Sequence, residues 1–272
     1  MTGLPQWSAD FGSDRLAPVS ALPLEDLREW ALGGATGAGV RVAVVDSGVD
    51  ADHPRVGGVA RWATVVADPD TPEGHRIVEE PHEDLVGHGT ACAGIIRSLV
   101  PDVEIWSVRV LGENLRTRGA RFLAGLEWAV DHGAHVANLS LSSKSDALYG
   151  PLHEICDDAY FAGIPLVCAA NNVPGPTYPA QFSSVLSVAA RAGTDPWALA
   201  YNPSPPVEFG AAGIEVDVAW SGGGGIVATG NSFAAAHVTG MVAAMLGKHP
   251  WLTPFQVKTV LQALSENAVT QR

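Results

Sequence analysis

Residues Val42–Asp50 read VAVVDSGVD. With Val40 and Arg41 in front, this is a β-branched run of strand length that stops at Asp46. Branched side chains suit a pleated, packed surface, and a run apolar at consecutive positions suits a strand buried on both faces. Working outward, Val103–Leu111, His135–Leu141, Ile164–Ala170 and Val185–Ala190 have the same character. Between them, Gly89–Leu99, Arg118–His132 and Leu152–Ala162 carry helical periodicity. Alternating strands and helices predict an α/β fold of three layers, α/β/α, around a central, mostly parallel sheet. In such sheets ligands bind outside the carboxyl ends of the strands, which is where Asp46 falls.

Further along, Gly230–Gly247 forms one helical pattern rich in alanine and other small residues, as expected of a helix packed inside the fold. After a break at Lys248–Pro250, Thr253 is placed to cap a last helix with Pro254 at its first position. Asn202–Pro206 reads as a surface loop. No internal repeat and no long linker divides the chain.

Of the 272 residues, 47% are hydrophobic and 17% charged, enough to fill a core. Sixteen basic against twenty-nine acidic side chains give a net charge of −13, which argues against nucleic acid as a partner. The longest apolar stretch, Phe233–Leu246, is too short to span a bilayer and contains His237, so no membrane role is expected. The start of the chain does not read as a signal peptide. Cys92, Cys156 and Cys168 are odd in number and lie in apolar patterns. Buried free thiols are expected, and with them a reducing, cytoplasmic location. The histidines show no zinc spacing, and the glycine run Gly222–Gly225 lacks a lysine–serine sequel, so it is not a phosphate loop. It is expected to shape the approach to the helix that follows. No cofactor is expected, and oligomeric state is left open.

Three segments carry chemistry together. Asp46 ends a buried strand, His88 stands between glycines in GHGTACAG, Gly87–Gly94, and Ser232 opens the small-residue helix in GNSFAAAHVTG, Gly230–Gly240. A serine hydroxyl is a poor nucleophile at neutral pH. An imidazole can take its proton and return it to a leaving amine, and a buried carboxylate can hold that imidazole in the useful tautomer. Each residue alone has a plain alternative: a turn aspartate, a structural histidine, a helix cap. The order Asp, His, Ser is that of subtilisin, whereas an α/β-hydrolase runs Ser, acid, His.

These segments closely resemble the Asp, His and Ser blocks of the subtilisin-like peptidases. Ile105–Gly112 resembles the family's central strand, Asn138–Leu141 (NLSL) the strand lining the substrate cleft, and Ala169–Asn172 (AANN) its AAGN segment. Tyr178–Pro179 resembles the tyrosine–proline that follows. The likeness runs from about Gly37 to about Ala263. It divides the chain into a short N-terminal extension, residues 1–36, and a peptidase domain, residues 37–272. It implies Asp46 as the residue orienting the histidine, His88 as general base and acid, and Ser232 as nucleophile. It implies Asn172 as the side chain of the oxyanion hole, with Asn171 as rival, helped by the Ser232 N–H. Ser140, Leu141, Ser142, Ala169, Ala170, Asn171 and Thr177 would line the cleft for a peptide or protein substrate.

The departures sharpen the expectation. Asn231 stands where the family has threonine and Phe233 where it has methionine; Asn231 is a candidate second amide donor to the oxyanion. Ser142 and Ser143 replace a Gly-Gly pair, Asn171 the AAGN glycine, and Thr177 a glycine at the base of the primary specificity pocket. Each swap adds atoms, so a shallower, more polar pocket preferring small or polar residues is expected. The family's calcium loop after the histidine block is not present in the sequence, and Arg55 replaces a supporting aspartate, so no metal is expected there. The acidic loops Asp68–Asp70 and Glu79–Asp84 read as solvated. Only about 36 residues precede the family-like region, fewer than an ordinary prodomain: either the fold assembles unaided or the chain is a mature fragment, and an intracellular processing peptidase is the expectation. The competing readings are a scaffold of the same fold that has lost turnover, and a peptide-macrocyclising acyl transferase. Cys92, one helical turn beyond His88, reads as a buried small residue, with a thiol facing the histidine as the alternative.

Overall fold

The computed structural model describes residues 26–173, 175–204 and 206–268. Among the described residues, six α-helices and eleven strands follow one another: α1 (Leu27–Leu32), β1 (Arg41–Asp46), β2 (Arg61–Ala67), β3 (His75–Val78), α2 (His88–Leu99), β4 (Glu104–Arg109), α3 (Gly119–Asp131), β5 (Val136–Leu139), α4 (Tyr149–Phe161), β6 (Leu166–Ala169), β7 (Leu186–Arg191), β8 (Leu199–Tyr201), β9 (Phe209–Ala212), β10 (Val216–Trp220), β11 (Gly224–Ala228), α5 (Asn231–Lys248) and α6 (Pro254–Leu264).

Nine strands form one sheet in the order β3-β2-β4-β1-β5-β6-β7-β9-β8. Every pairing from β2 to β9 across that order is parallel, and only the edge pairs β2–β3 and β8–β9 are antiparallel. The expected three-layer arrangement is therefore the observed one. Successive strand side chains point to opposite faces. Val42 and Val44 of β1 join Val167 and Val188 in a core shared with α2 and α5. Ala43 and Val45 join Trp106, Val108 and Leu166 in a second core shared with α3 and α4. Two apolar faces explain why the central strands read as continuous rather than alternating runs.

β1 lies between β4 and β5, so the chain crosses it when α3 carries β4 to β5. The crevice at the carboxyl end of β1 is the place where such a sheet opens to ligand, and Asp46 is its last residue. Helix α5 runs beneath the sheet and is buried from Ser232 to Leu246. Its small residues allow that: a Cβ on Gly240 would press on Leu99 of α2 at 3.1 Å. Helix α6 begins with the expected cap, Thr253 and Gln256 holding each other's backbone N–H groups, with Pro254 in the first turn. Helix α1 falls within the segment set apart as an extension, and it packs Ala31 and Leu32 into the same core as α5 and α6.

The periodicity does not announce β2, β3 or β8–β11. β3 and β8 are the edge strands of the sheet, β2 and β9 lie next to them, and β10–β11 form a separate two-stranded hairpin; all but β2 have five residues or fewer.

Candidate active site

Asp46 is fully buried, and both of its carboxylate oxygens face His88 Nδ1, at 2.8 and 2.9 Å. The glycines beside His88 allow this approach. Gly87 starts α2 with φ 109°, a left-handed conformation, and a Cβ there would meet the Ser221 N and the Trp220 ring. A Cβ on Gly89 would collide with the Gly48 carbonyl and touch Asp46. The loop before α2 is held by Asp84. Its carboxylate accepts from the N–H groups of Val86, Gly87 and Thr90 and from the Ser47 and Thr90 hydroxyls.

Burial alone would push the His88 pKa down. The charge and hydrogen bond of Asp46, with Asp84 behind it, outweigh burial and raise it above the ordinary imidazole value. Phe233 packs beside the imidazole, ring centroids 5.8 Å apart.

Ser232 lies in the first turn of α5 and is buried. Its hydroxyl donates to the Ser140 carbonyl at 3.2 Å; among the described residues no hydrogen bond joins it to His88. Hydrogen bonds of this kind are often loose without substrate and tighten when one binds. Asn138, Ser140 and Thr239 brace the spot from below: Asn138 donates to the Ser140 hydroxyl at 2.6 Å and accepts from Thr239 at 2.9 Å.

The two neighbouring asparagines are held differently. Asn171 is spent at both ends of its amide, Oδ1 accepting from Ser142 and Nδ2 donating to the Pro176 carbonyl. Asn172 is exposed, and its Oδ1 accepts from the Asn231 N–H at 3.1 Å. Its Nδ2 has no acceptor among the described residues. Asn231 is not the free donor that the sequence suggested. Its Nδ2 is committed to the carbonyls of Ala170 and Asn171 and its Oδ1 to the Ala190 N–H.

Beyond β5 the chain continues through Ser140, Leu141 and Ser142, and Ser143 pairs with Tyr178 through both backbone groups. Ala169 and Ala170 are buried at the end of β6. Three of the substituted positions, Ser142, Asn171 and Thr177, hydrogen-bond to one another. Thr177 Oγ1 accepts from the Asn171 N–H at 2.9 Å and donates to Ser142 at 3.1 Å, while Ser142 donates to Asn171 at 2.9 Å. Beside this segment, Leu111, Leu115, Phe122, Leu141 and Leu148 line part of a cavity of about 560 Å³.

Cys92, Cys156 and Cys168 are buried and unpaired. Cys92 Sγ lies 3.2 Å from the Ser140 hydroxyl, and burial, then the nearby Asp46 charge, drives its thiol pKa well up. Among the described residues, Asp46, His88 and Cys92 are the one group of three ligand atoms close enough to share an ion. The carboxylate–imidazole pair accounts for two of them. Helix α2 runs unbroken from His88 to Leu99, and Arg55 puts a guanidinium on Asp217, at 3.2 Å. The acidic loops are partnered too, Asp68 with Arg76 and Glu79 with Arg61. Gly222 and Gly223 form the turn of the β10–β11 hairpin, whose return strand leads through Thr229 and Gly230 into α5. No helix among the described residues is long and apolar enough to cross a membrane.

A parallel sheet with a buried aspartate–histidine pair at its carboxyl edge, beside a serine opening a central helix, defines a subtilisin-like architecture. The profile of the Subtilase family matches residues 37–271, and the chain belongs to that family. It is 33% identical over 239 residues to a thermostable alkaline protease of Halalkalibacterium halodurans, covering 83% of this chain but 62% of that protein. It is 30% identical over 240 residues to Subtilisin BL of Lederbergia lenta, covering 84% of each. A cold adapted subtilisin-like serine proteinase of known structure superposes with a TM-score of 0.68 at 26% identity, over 85% of this chain and 83% of that one. Sphericase gives 0.70 at 22% identity, over 84% and 83%, a likeness of fold.

Proposed function

We propose that the chain is a serine endopeptidase with a restricted, processing role. The observation that carries the reading is the buried Asp46 carboxylate bonded to His88 in the crevice that Ser232 borders. In the proposed reaction the Ser232 hydroxyl turns from the Ser140 carbonyl to His88 Nε2 and attacks the scissile carbonyl. Its proton passes to His88, and Asp46 stabilises the imidazolium that results. The oxyanion is met by Asn172 Nδ2 and by the Ser232 N–H. That N–H lies in the first helical turn, where backbone donors lack intrahelical partners and the helix favours negative charge. His88 then protonates the leaving amine, and water repeats the sequence on the acyl-enzyme.

A fluorophosphonate probe tests this directly. Labelling of the wild type that vanishes in Ser232→Ala is expected, and an unlabelled wild type would point instead to a scaffold of the same fold. Restricted specificity rests on the Ser142–Asn171–Thr177 network, which fills space with bonded polar groups. Peptide-library profiling is expected to favour small or polar residues before the scissile bond; best cleavage after large aromatic residues would refute it. Three buried, unpaired thiols support a reducing, cytoplasmic setting, which cell fractionation would check.

A further inference from the structure

We propose that Asn231 is a positioning residue, a wedge that holds the oxyanion asparagine in register with the nucleophile; the proposal rests on the peptidase reading above. Strands β6 and β7 pair in parallel up to Ala169 and Val188, and Ala170 N–H adds one more bond to the Val188 carbonyl. A regular ladder would next join the Ala190 N–H to the Ala170 carbonyl. The Asn231 amide stands between these two groups instead. Its Oδ1 accepts from Ala190 N–H at 2.8 Å, and its Nδ2 donates to the Ala170 carbonyl at 2.9 Å and the Asn171 carbonyl at 3.3 Å. The side chain thus takes the place of a peptide group and stops the ladder. The chain is released from β6 at the point where it must turn out to present Asn172.

The same residue grips Asn172 through its own backbone, N–H to Oδ1 at 3.1 Å. That contact directs the amide oxygen toward Asn231 and leaves the Nδ2 donor for the oxyanion. Ser232 is the next residue in the chain, so one residue ties nucleophile and oxyanion donor to a common frame. Only a side chain with a donor and an acceptor on one planar group can bridge an N–H and two carbonyls in this way. The family's threonine, with a single oxygen, cannot.

The test is a kinetic cycle with an independent structural readout. Asn231→Ala is expected to lower kcat by about 100-fold, the scale of an ångström of misplacement, with KM held within about twofold. Affinity for a peptide boronate should fall in step with kcat. Asn231→Asp keeps the acceptor for Ala190 but turns a carboxylate on two carbonyls, and should be at least as impaired. Combined with Asn172→Ala, the loss should not exceed that of Asn172→Ala alone by more than about twofold. Hydrogen exchange should quicken at Ala190 while α2 and the core of α5 keep their protection. Multiplicative losses in the cycle, an unchanged kcat, or exchange unaltered at Ala190 or raised throughout the molecule would overturn the proposal. An inactive, unlabelled wild type would refute the peptidase reading instead, and the exchange result would still decide whether the wedge exists.

Discussion

At the scale of single residues, the Asp46–His88 pair sets the expected response to pH. Proton transfer from Ser232 needs a neutral imidazole, and Asp46 and Asp84 raise the His88 pKa against the effect of burial. The acid limb of kcat/KM is therefore expected above about 6.5, the unperturbed histidine value. In Asp46→Asn the limb should move down and kcat should fall by about 10⁴-fold, as a pH series on a peptide substrate would show. The residues proposed to carry this chemistry are legible because Asp46, His88 and Ser232 each stand in a short, distinctive setting of glycines and small side chains. The sequence marks Asn231 as a departure but does not tell that its amide is already bonded within the fold. Whether an amide is spent or available depends on Ala170 and Ala190, which lie 61 and 41 positions away and meet it only in the fold.

At the scale of elements, the junction of β1 and α2 is the tightest part of the site. Gly89→Ala would drive a methyl group into the Gly48 carbonyl and against Asp46, both main-chain-anchored. Forced overpacking of this kind costs about 1–3 kcal/mol, and a lower melting temperature together with weakened probe labelling is the expected outcome. Gly240→Ala, which meets the side chain of Leu99 at 3.1 Å, should be milder. The central strands and long helices were legible because their side chains are buried over whole runs, so composition follows structure. The pair β2 and β3 was not. His75–Val78 is four residues long and mostly half-exposed, and its pairing with Thr64–Ala67 leaves no periodic trace.

At the scale of the whole molecule, acid stability should depend on His82. It bridges β2 and β4, bonded to the hydroxyls of Thr64 and Ser107, each at 2.8 Å. Burial, reinforced by the Arg109 charge, lowers its pKa to about 4. The unfolded chain binds a proton there near pH 6.5 and the folded chain does not. Stability from this group is complete above that value and is lost as pH falls toward 4. His82→Gln should flatten the pH 4–6.5 part of a urea-denaturation series, and an unchanged slope would refute the assignment. The layer order of the fold was legible in the sequence; the place of α1 was not, since six residues of modest amphipathicity give little to read. Yet Trp30 stacks on His249 at 3.9 Å, and Lys248 donates to the carbonyls of Glu29 and Gly33. The far end of α5 is thereby fastened to a segment that precedes Gly37, where the family pattern begins. A gene trimmed to that pattern would encode every residue of the cleft and still uncover a greasy flank on α5 and α6, so the sensible cut for expression lies upstream of Asp26.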